Sequence, residues 1–326
     1  MIHQTQVTVF GGGGHLGRHA VRALAKAGYR IVVAVRRPHL VPELKVMGDV
    51  GQIAVVQANL RDAASVARAV QGSGAVVNLV GLLYAHGRQS FAAIQSDGAE
   101  TLAKAAKAAG VTAFVQVSAI GADPNSPALY GRTKAEGEAR VRAVYPDAVV
   151  LRPSVVFGPE DDFFNRFAAM AAVAPVLPLV GGATRLQPVY VGDVAKAVLA
   201  SLEGALAGGE VLGQTYELGG PRIYTMRELL QLVIQETGRK RPLLPVPAPL
   251  ASLIASLGDV QAAVTAFPPI LTTDQLKLLG RDNVATGPGL AALGISPTSL
   301  EAVLPTYLWR FREGGQFADV GHGAPG

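Results

Sequence analysis

Residues 10–18 read FGGGGHLGR and follow directly on the apolar run Val7-Thr8-Val9. Five of the nine are glycine. Glycine is the residue most expensive to order, so such a cluster survives only where the backbone must be bare or take conformations closed to other residues. Gly11, Gly14 and Gly17 form G-x-x-G-x-x-G, and Gly12, Gly14 and Gly17 also satisfy G-x-G-x-x-G. A strand before the cluster and a helical pattern after it, beginning near His15, place it at the first crossover of a βαβ unit. There, bare main chain lets a pyrophosphate approach the free N–H groups of a helix N-terminus, and the last glycine lets the helix pack tightly on the sheet. Gly11, Gly14, His15, Leu16 and Gly17 are therefore candidate dinucleotide-binding positions.

The chain beyond this turn keeps the same rhythm. Strands are expected at 6–10, 30–35, 53–57, 75–80, 113–118 and 148–151, with helical patterns at 16–27, 63–70 and 95–109 between them. Continuous apolar strands alternating with helices predict a parallel sheet covered on both faces. The fold class expected is α/β, a Rossmann-type doubly wound sheet in the order 3-2-1-4-5-6, with a smaller, mostly helical C-terminal region. Residues 1–155 are read as the dinucleotide-binding domain, with 187–204 returning to it. Segments 156–186 and 205–310 form the smaller substrate or docking region, and 311–326 is a Gly-rich tail expected to be disordered. The stretch 225–238 predicts an amphipathic helix ended by Gly238. From 242 to 276 only Asp259 and Asp274 carry charge, and six prolines interrupt the apolar sequence. Too broken to span a bilayer, that segment is left three roles: covering the cleft, lying on a membrane, or meeting a partner.

Composition closes off other classes. The chain has 326 residues, 49% of them apolar, yet no run long and uncharged enough for a transmembrane helix. Its N-terminus lacks the pattern of an export signal. It has no cysteine, so a cytoplasmic setting is expected, without disulfides or thiolate metal sites. The net charge is +5. Arg18, Arg22 and Lys26 recur as a solvated helix face, and basic clusters interleaved with aromatics, the mark of nucleic-acid binding, are missing.

The end of the second strand decides between the two nicotinamide dinucleotides. An NAD enzyme usually places Asp or Glu there to bind the ribose 2′-hydroxyl; this chain has Arg36 and Arg37. Guanidinium forks suit a 2′-phosphate, which favours NADP(H), with NAD(H) as the alternative. A second constellation joins Ser118, at the end of the fifth strand, to Tyr130 and Lys134 at i and i+4 on one helix face. A phenol titrates near 10; a neighbouring ammonium and an oxidised nicotinamide favour the phenolate. Tyr130 can then exchange a proton with a substrate oxygen that Ser118 also holds, while hydride passes to or from the cofactor.

The glycine turn, Ser118, the Tyr130–Lys134 pair and LRPSVVFGP (151–159) together resemble the extended short-chain dehydrogenase/reductase superfamily, over 7 to about 202. The resemblance implies that Asn59 and Leu60 border the adenine, that Val80 and Gly81 lie along the cofactor, and that Pro153 begins a segment whose backbone contacts the nicotinamide. Across nearly the whole chain, VFGGGGHLGR, VAVRRP, VVNLVG, GADPNSPALYGRTKAEGEA, PSVVFGPEDDFFNRFA, QPVYVGDVAKAV and LGISPTSLEAVLPTYLWRFR are similar to the atypical branch that contains the nucleotide-binding accessory subunit of respiratory complex I. That branch implies NADPH held as a structural cofactor near the quinone site, complex I subunits as partners, and peripheral contact with a membrane or quinone on the cytoplasmic face of the inner membrane. His15 departs from the branch, which usually carries an apolar or aromatic residue there.

No metal site is expected. His15 and His19 share a helix face but lack a third ligand, and Glu160, Asp161 and Asp162 read as a helix start. His86 reads as a solvated loop residue. Two functions stay open: a nucleotide-stabilised protein of complex I, and an active oxidoreductase or epimerase on an apolar, quinone-like or sugar-nucleotide substrate. For a sugar diphosphate, the second region offers only Arg166 and Arg185.

Overall fold

A computed structural model describes residues 5–265 and 267–315. Most of the tail expected at 311–326, from 316 onward, lies outside the described residues. The first half runs β1 (Gln6–Phe10), α1 (His15–Lys26), β2 (Arg30–Val35), β3 (Ile53–Gln57), α2 (Ala63–Ala69), β4 (Ala75–Asn78), α3 (Asp97–Ala108), β5 (Ala113–Val117), α4 (Leu129–Val144) and β6 (Val149–Pro153). The second half is less regular. It contains β7 (Val156–Phe157), α5 (Phe164–Val173), β8 (Leu177–Leu179), β9 (Arg185–Leu186), β10 (Val189–Tyr190), α6 (Val191–Leu206), β11 (Thr215–Leu218) and β12 (Tyr224–Thr225). Then follow α7 (Met226–Glu236), β13 (Leu243–Pro245), α8 (Ala248–Val264) and α9 (Thr273–Leu278).

The main sheet has seven parallel strands in the order β11-β6-β5-β4-β1-β2-β3. This is the expected doubly wound order with one strand added beside β6. Its central strands are buried on both faces: all four residues of β4 and all five of β5 are buried. Successive strand residues point to opposite faces. Val7 and Val9 therefore join a core with Leu24 of α1 and Val194 and Val198 of α6. Phe10 and Phe114 join the other core, with Val66 of α2 and Leu102 of α3. A third cluster, including Phe157, Phe164, Leu229, Leu230 and Tyr307, holds the smaller region.

The return to the main sheet differs from expectation in one element. Helix α6 does come back and packs beside α1, but its preceding strand β10 pairs with β7 in a separate ladder. The strand that extends the main sheet is β11, inside the stretch set aside for the smaller region. Its sequence TYEL is short and polar at alternate positions, as suits a sheet edge, and Glu217 N–H on its outer side donates to the Pro288 carbonyl.

Helix α7 lies where expected. A capping box of Thr225 and Glu228 starts it, and Gly238, at φ +64°, ends it in the left-handed conformation that favours glycine. Helix α8 buries its small residues Ala251, Ala255, Gly258 and Ala262 and turns Leu250, Leu253, Leu257, Val260 and Val264 outward. A Cβ on Gly258 would lie 1.8 Å from the Leu271 carbonyl oxygen, so the close seat of α8 on the following segment requires glycine there. Among the described residues no helix is long and apolar enough to cross a membrane.

Candidate active site

The glycine turn divides its work. A Cβ on Gly17 would lie 2.2 Å from the Gly11 carbonyl oxygen, and one on Gly12 would lie 2.5 Å from Val33 Cγ1. These two are packing glycines. Gly11, at φ +81°, takes the left-handed conformation and brings the turn against the backbone of Leu79 and Val80 after β4. Gly14 is different: a Cβ there meets nothing closer than 3.5 Å. It is the exposed N-cap of α1, with no side-chain cap and no acidic residue in the first turn. The helix N-terminus thus carries no side-chain cap of its own, an arrangement open to an anion, although the carboxylates of Glu160, Asp161 and Asp162 lie near enough to act on His15. Leu16 packs into the core behind it, leaving its main chain to the turn. His15 has a buried Nε2 without a hydrogen-bond partner among the described residues, and burial holds its imidazole below the usual value. His19 meets it edge to face, with ring centroids 5.8 Å apart.

Arg36 and Arg37 are exposed just past the end of β2. Burial, followed by the charges of Arg37 and Arg61, holds the Arg36 guanidinium below its ordinary value. Arg61, which the sequence reading passed over, therefore belongs to the same cationic group, and its position directly after the Asn59–Leu60 pair was the available signal. Asn59 shapes this turn: its Oδ1 accepts from Arg61 N–H, and its own N–H donates to Ser65 Oγ. Leu60 is buried against Gly98.

On the other side of the sheet's carboxyl edge, the loops after β4, β5 and β6 converge. Ser118 N–H donates to the Leu151 carbonyl and Ile120 N–H to that of Pro153, which stitches Ser118 to the segment opening at Pro153. The Ser118 hydroxyl is buried and has no hydrogen-bond partner among the described residues. Lys134 is also buried, and its Nζ would lie 3.3 Å from a Cβ on Gly81. The same Nζ lies 5.9 Å from the Tyr130 ring centroid. Phe91 packs edge to face on that ring, with centroids 6.0 Å apart. Burial pushes the Tyr130 phenol up to about 12. Burial likewise pulls Lys134 down to about 8, opposed by the carboxylate of Glu138. The bare Gly14, the unpartnered Ser118 hydroxyl and the small Gly81 beside Lys134 fit a dinucleotide laid across the sheet edge. Gly11, Gly14, His15, Leu16 and Gly17 would hold its pyrophosphate; Arg36, Arg37, Asn59 and Leu60 its adenosine; Val80, Gly81, Tyr130, Lys134 and Pro153 its nicotinamide half.

The segment 267–290 crosses this edge. Asp274 accepts from the N–H groups of Leu129 and Tyr130, supplying the cap that Ala128 lacks at the start of α4. Arg281 pairs with Asp123, and Asn283 bonds both Ile120 and Ser154. His86, expected to be a solvated loop residue, instead lies with Nδ1 2.7 Å from the Ala262 carbonyl at the end of α8. Asp161 is a helix start, as read: its carboxylate accepts from Phe164 and Asn165 N–H and from the Tyr307 hydroxyl. Arg166 and Arg185, the two candidates for a sugar diphosphate, are both occupied. Arg166 donates to the carbonyls of Pro269 and Ile270, and Arg185 pairs with Asp282 at 2.7 Å.

The chain is 34% identical over 317 residues to the mitochondrial NADH dehydrogenase (ubiquinone) 1 alpha subcomplex subunit 9 of Arabidopsis thaliana, covering 94% of this chain and 78% of that one. It is 31% identical over 264 residues to the ceramide reductase of Caulobacter vibrioides, covering 81% and 80% of the two chains. Its fold matches that of the NADPH-dependent quinone oxidoreductase of Escherichia coli complexed with NADPH, with a TM-score of 0.69, 22% identity and coverage of 91% and 97%. Residues 7–219, from β1 through the added edge strand, match the model of the NAD dependent epimerase/dehydratase family, and the chain belongs to that family.

Proposed function

We propose that this protein binds NADP(H) across the glycine turn and holds it chiefly as a structural cofactor, in association with subunits of respiratory complex I near its quinone site. The observation that carries the choice of NADP(H) over NAD(H) is the grouping of Arg36, Arg37 and Arg61 past the ends of β2 and β3, where an NAD-binding chain would need an acceptor. The partner reading is supported by likeness, over 94% of the chain, to a subunit of a ubiquinone-linked NADH dehydrogenase. A place on the cytoplasmic face of the inner membrane belongs to the same reading. The Tyr130 phenol, pushed upward by burial and 5.9 Å from Lys134 by ring centroid, is not poised as a base in the free protein.

A second reading is favoured by one feature, the buried and unpartnered Ser118 hydroxyl. With Tyr130 it could hold a carbonyl oxygen and supply the proton, while the nicotinamide supplies hydride. Because Arg166 and Arg185 are occupied, this reading favours an apolar or quinone-like substrate over a sugar nucleotide.

A pull-down from detergent-solubilised membranes of the native host tests the first reading, with complex I subunits expected beside the chain. Tyr130→Phe should leave the NADPH-induced rise in melting temperature and the level of complex I unchanged. Loss of a quinone- or ketone-dependent NADPH oxidation in that variant would establish the second reading instead.

A further inference from the structure

The smaller region carries a feature that neither nucleotide binding nor the cleft uses. Along α7 and the turn that follows it lies an open groove of about 530 Å³ whose lining includes Arg227, Arg239, Lys240 and Arg241 and no carboxylate. Arg239 pairs with Glu313. Arg227, Lys240 and Arg241 pair with no carboxylate among the described residues. The same groove is bordered by apolar chain. Leu243, in its lining, pairs with Leu177, while Leu244 and Val176 beside them are exposed. Arg241 donates to Ala171 O in the last turn of α5, next to the exposed Val173.

From Leu244 the chain passes through Pro245 and Pro247 straight into α8. The outward stripe Leu250, Leu253, Leu257, Val260 and Val264 recurs every three or four residues, and Phe267 and Ile270 on the following segment are exposed as well. These seven side chains are 48–75% exposed. Soluble monomers rarely leave so much contiguous apolar surface in water. The one acid on α8, Asp259, is turned onto Thr273 N–H of α9 and leaves the stripe uncharged. An apolar helix face without charge, adjoining a basin of unpaired cations, complements a surface that is apolar inside and anionic outside.

We propose that α8 and the Arg227–Lys240–Arg241 basin together form a docking surface for an anionic phospholipid bilayer, the stripe entering the acyl boundary and the basin receiving lipid phosphates. This surface is separate from the nucleotide turn and stands whether or not the cofactor turns over.

Vesicle flotation at physiological salt tests it, using phosphatidylcholine alone and phosphatidylcholine mixed with phosphatidylglycerol. The full chain should float with the mixed vesicles and stay behind with the neutral ones. Arg227→Gln/Lys240→Gln, both exposed, should weaken partitioning roughly thirtyfold. Leu253→Asn/Leu257→Asn should weaken it at least about tenfold. Both variants should keep the wild-type melting temperature and its rise with NADPH, which shows that fold and nucleotide site are intact. Equal binding to neutral vesicles, or no binding to either, overturns the proposal. So does displacement from vesicles by millimolar inorganic phosphate, which marks a free-anion site. A dimer in sedimentation that Leu253→Asn/Leu257→Asn dissolves, without vesicle binding, assigns the stripe to a second copy and also overturns it.

Discussion

Asp274 accepts the main-chain N–H of Tyr130 at 2.9 Å, and its other carboxylate oxygen takes that of Leu129. The first turn of the helix that carries the Tyr-x-x-x-Lys pair is thus capped from a segment 144 residues away. A cap of this kind fixes where α4 begins and so where the phenol sits. Asp274→Ala should destabilise the protein by about 1 kcal/mol in urea unfolding, in the range of lost N-caps. Asp274→Asn, which keeps an acceptor, should lose less. Equal stability of Asp274→Ala and wild type would show that the contact contributes nothing.

The glycines of the phosphate turn should respond differently to one added methyl. Gly17→Ala forces a Cβ to within 2.2 Å of the Gly11 carbonyl oxygen and should lower the melting temperature sharply, by several kcal/mol of stability, or prevent folding. Gly14→Ala meets only ordinary contacts and keeps an allowed backbone at φ −80°. That variant should fold normally yet lose most of the NADPH-induced rise in melting temperature. Retention of the full rise in Gly14→Ala would remove the pyrophosphate from this turn.

Cofactor choice rests on three cations. NADPH should raise the melting temperature more than NADH, and Arg36→Ala/Arg37→Ala should bring the two shifts together. Arg61→Ala should narrow the gap in part, since its charge bears on Arg36. The preference should also fall with added salt, because exposed charges are screened.

Lys134 gives the free protein a pH signature. Its ammonium is disfavoured by burial, so between about 8 and 10.5 the folded chain binds fewer protons than the unfolded one. Stability contributed by this group therefore rises with pH across that window. Tyr130 acts in the opposite sense at higher pH: pushed up to about 12, it keeps its proton in the fold after the unfolded phenol has lost its own near 10, and stability falls from there. Lys134→Met should flatten the rise between pH 8 and 10 when unfolding free energies of the two proteins are compared.

How much of this was legible in advance follows from the range of the interactions. Strands β1, β4, β5 and β6 are buried on both faces, and a continuously apolar run announces such a strand locally. The glycine turn, Ser118, Tyr130 and Lys134 were legible because strand end and helix spacing place them without reference to distant chain. Strand β11 was not: Thr215 and Glu217 interrupt its apolar pattern, and only pairing with β6 makes it a strand. Asp274 showed itself merely as one of two charges in an apolar stretch, since its role depends on a partner far away in the chain. The occupied state of Arg166 and Arg185 was likewise invisible, because their acceptors belong to a segment with no regular pattern of its own.

The path of β11 limits how this molecule can be taken apart. After its excursion through the smaller lobe, the backbone comes home to lie beside β6, and α6 on the way has already settled against α1. A truncation behind Pro153 would strip an edge from the sheet and strip the cover from Leu24 and Val21. Neither lobe is a detachable cassette, and heating should melt both in one cooperative step.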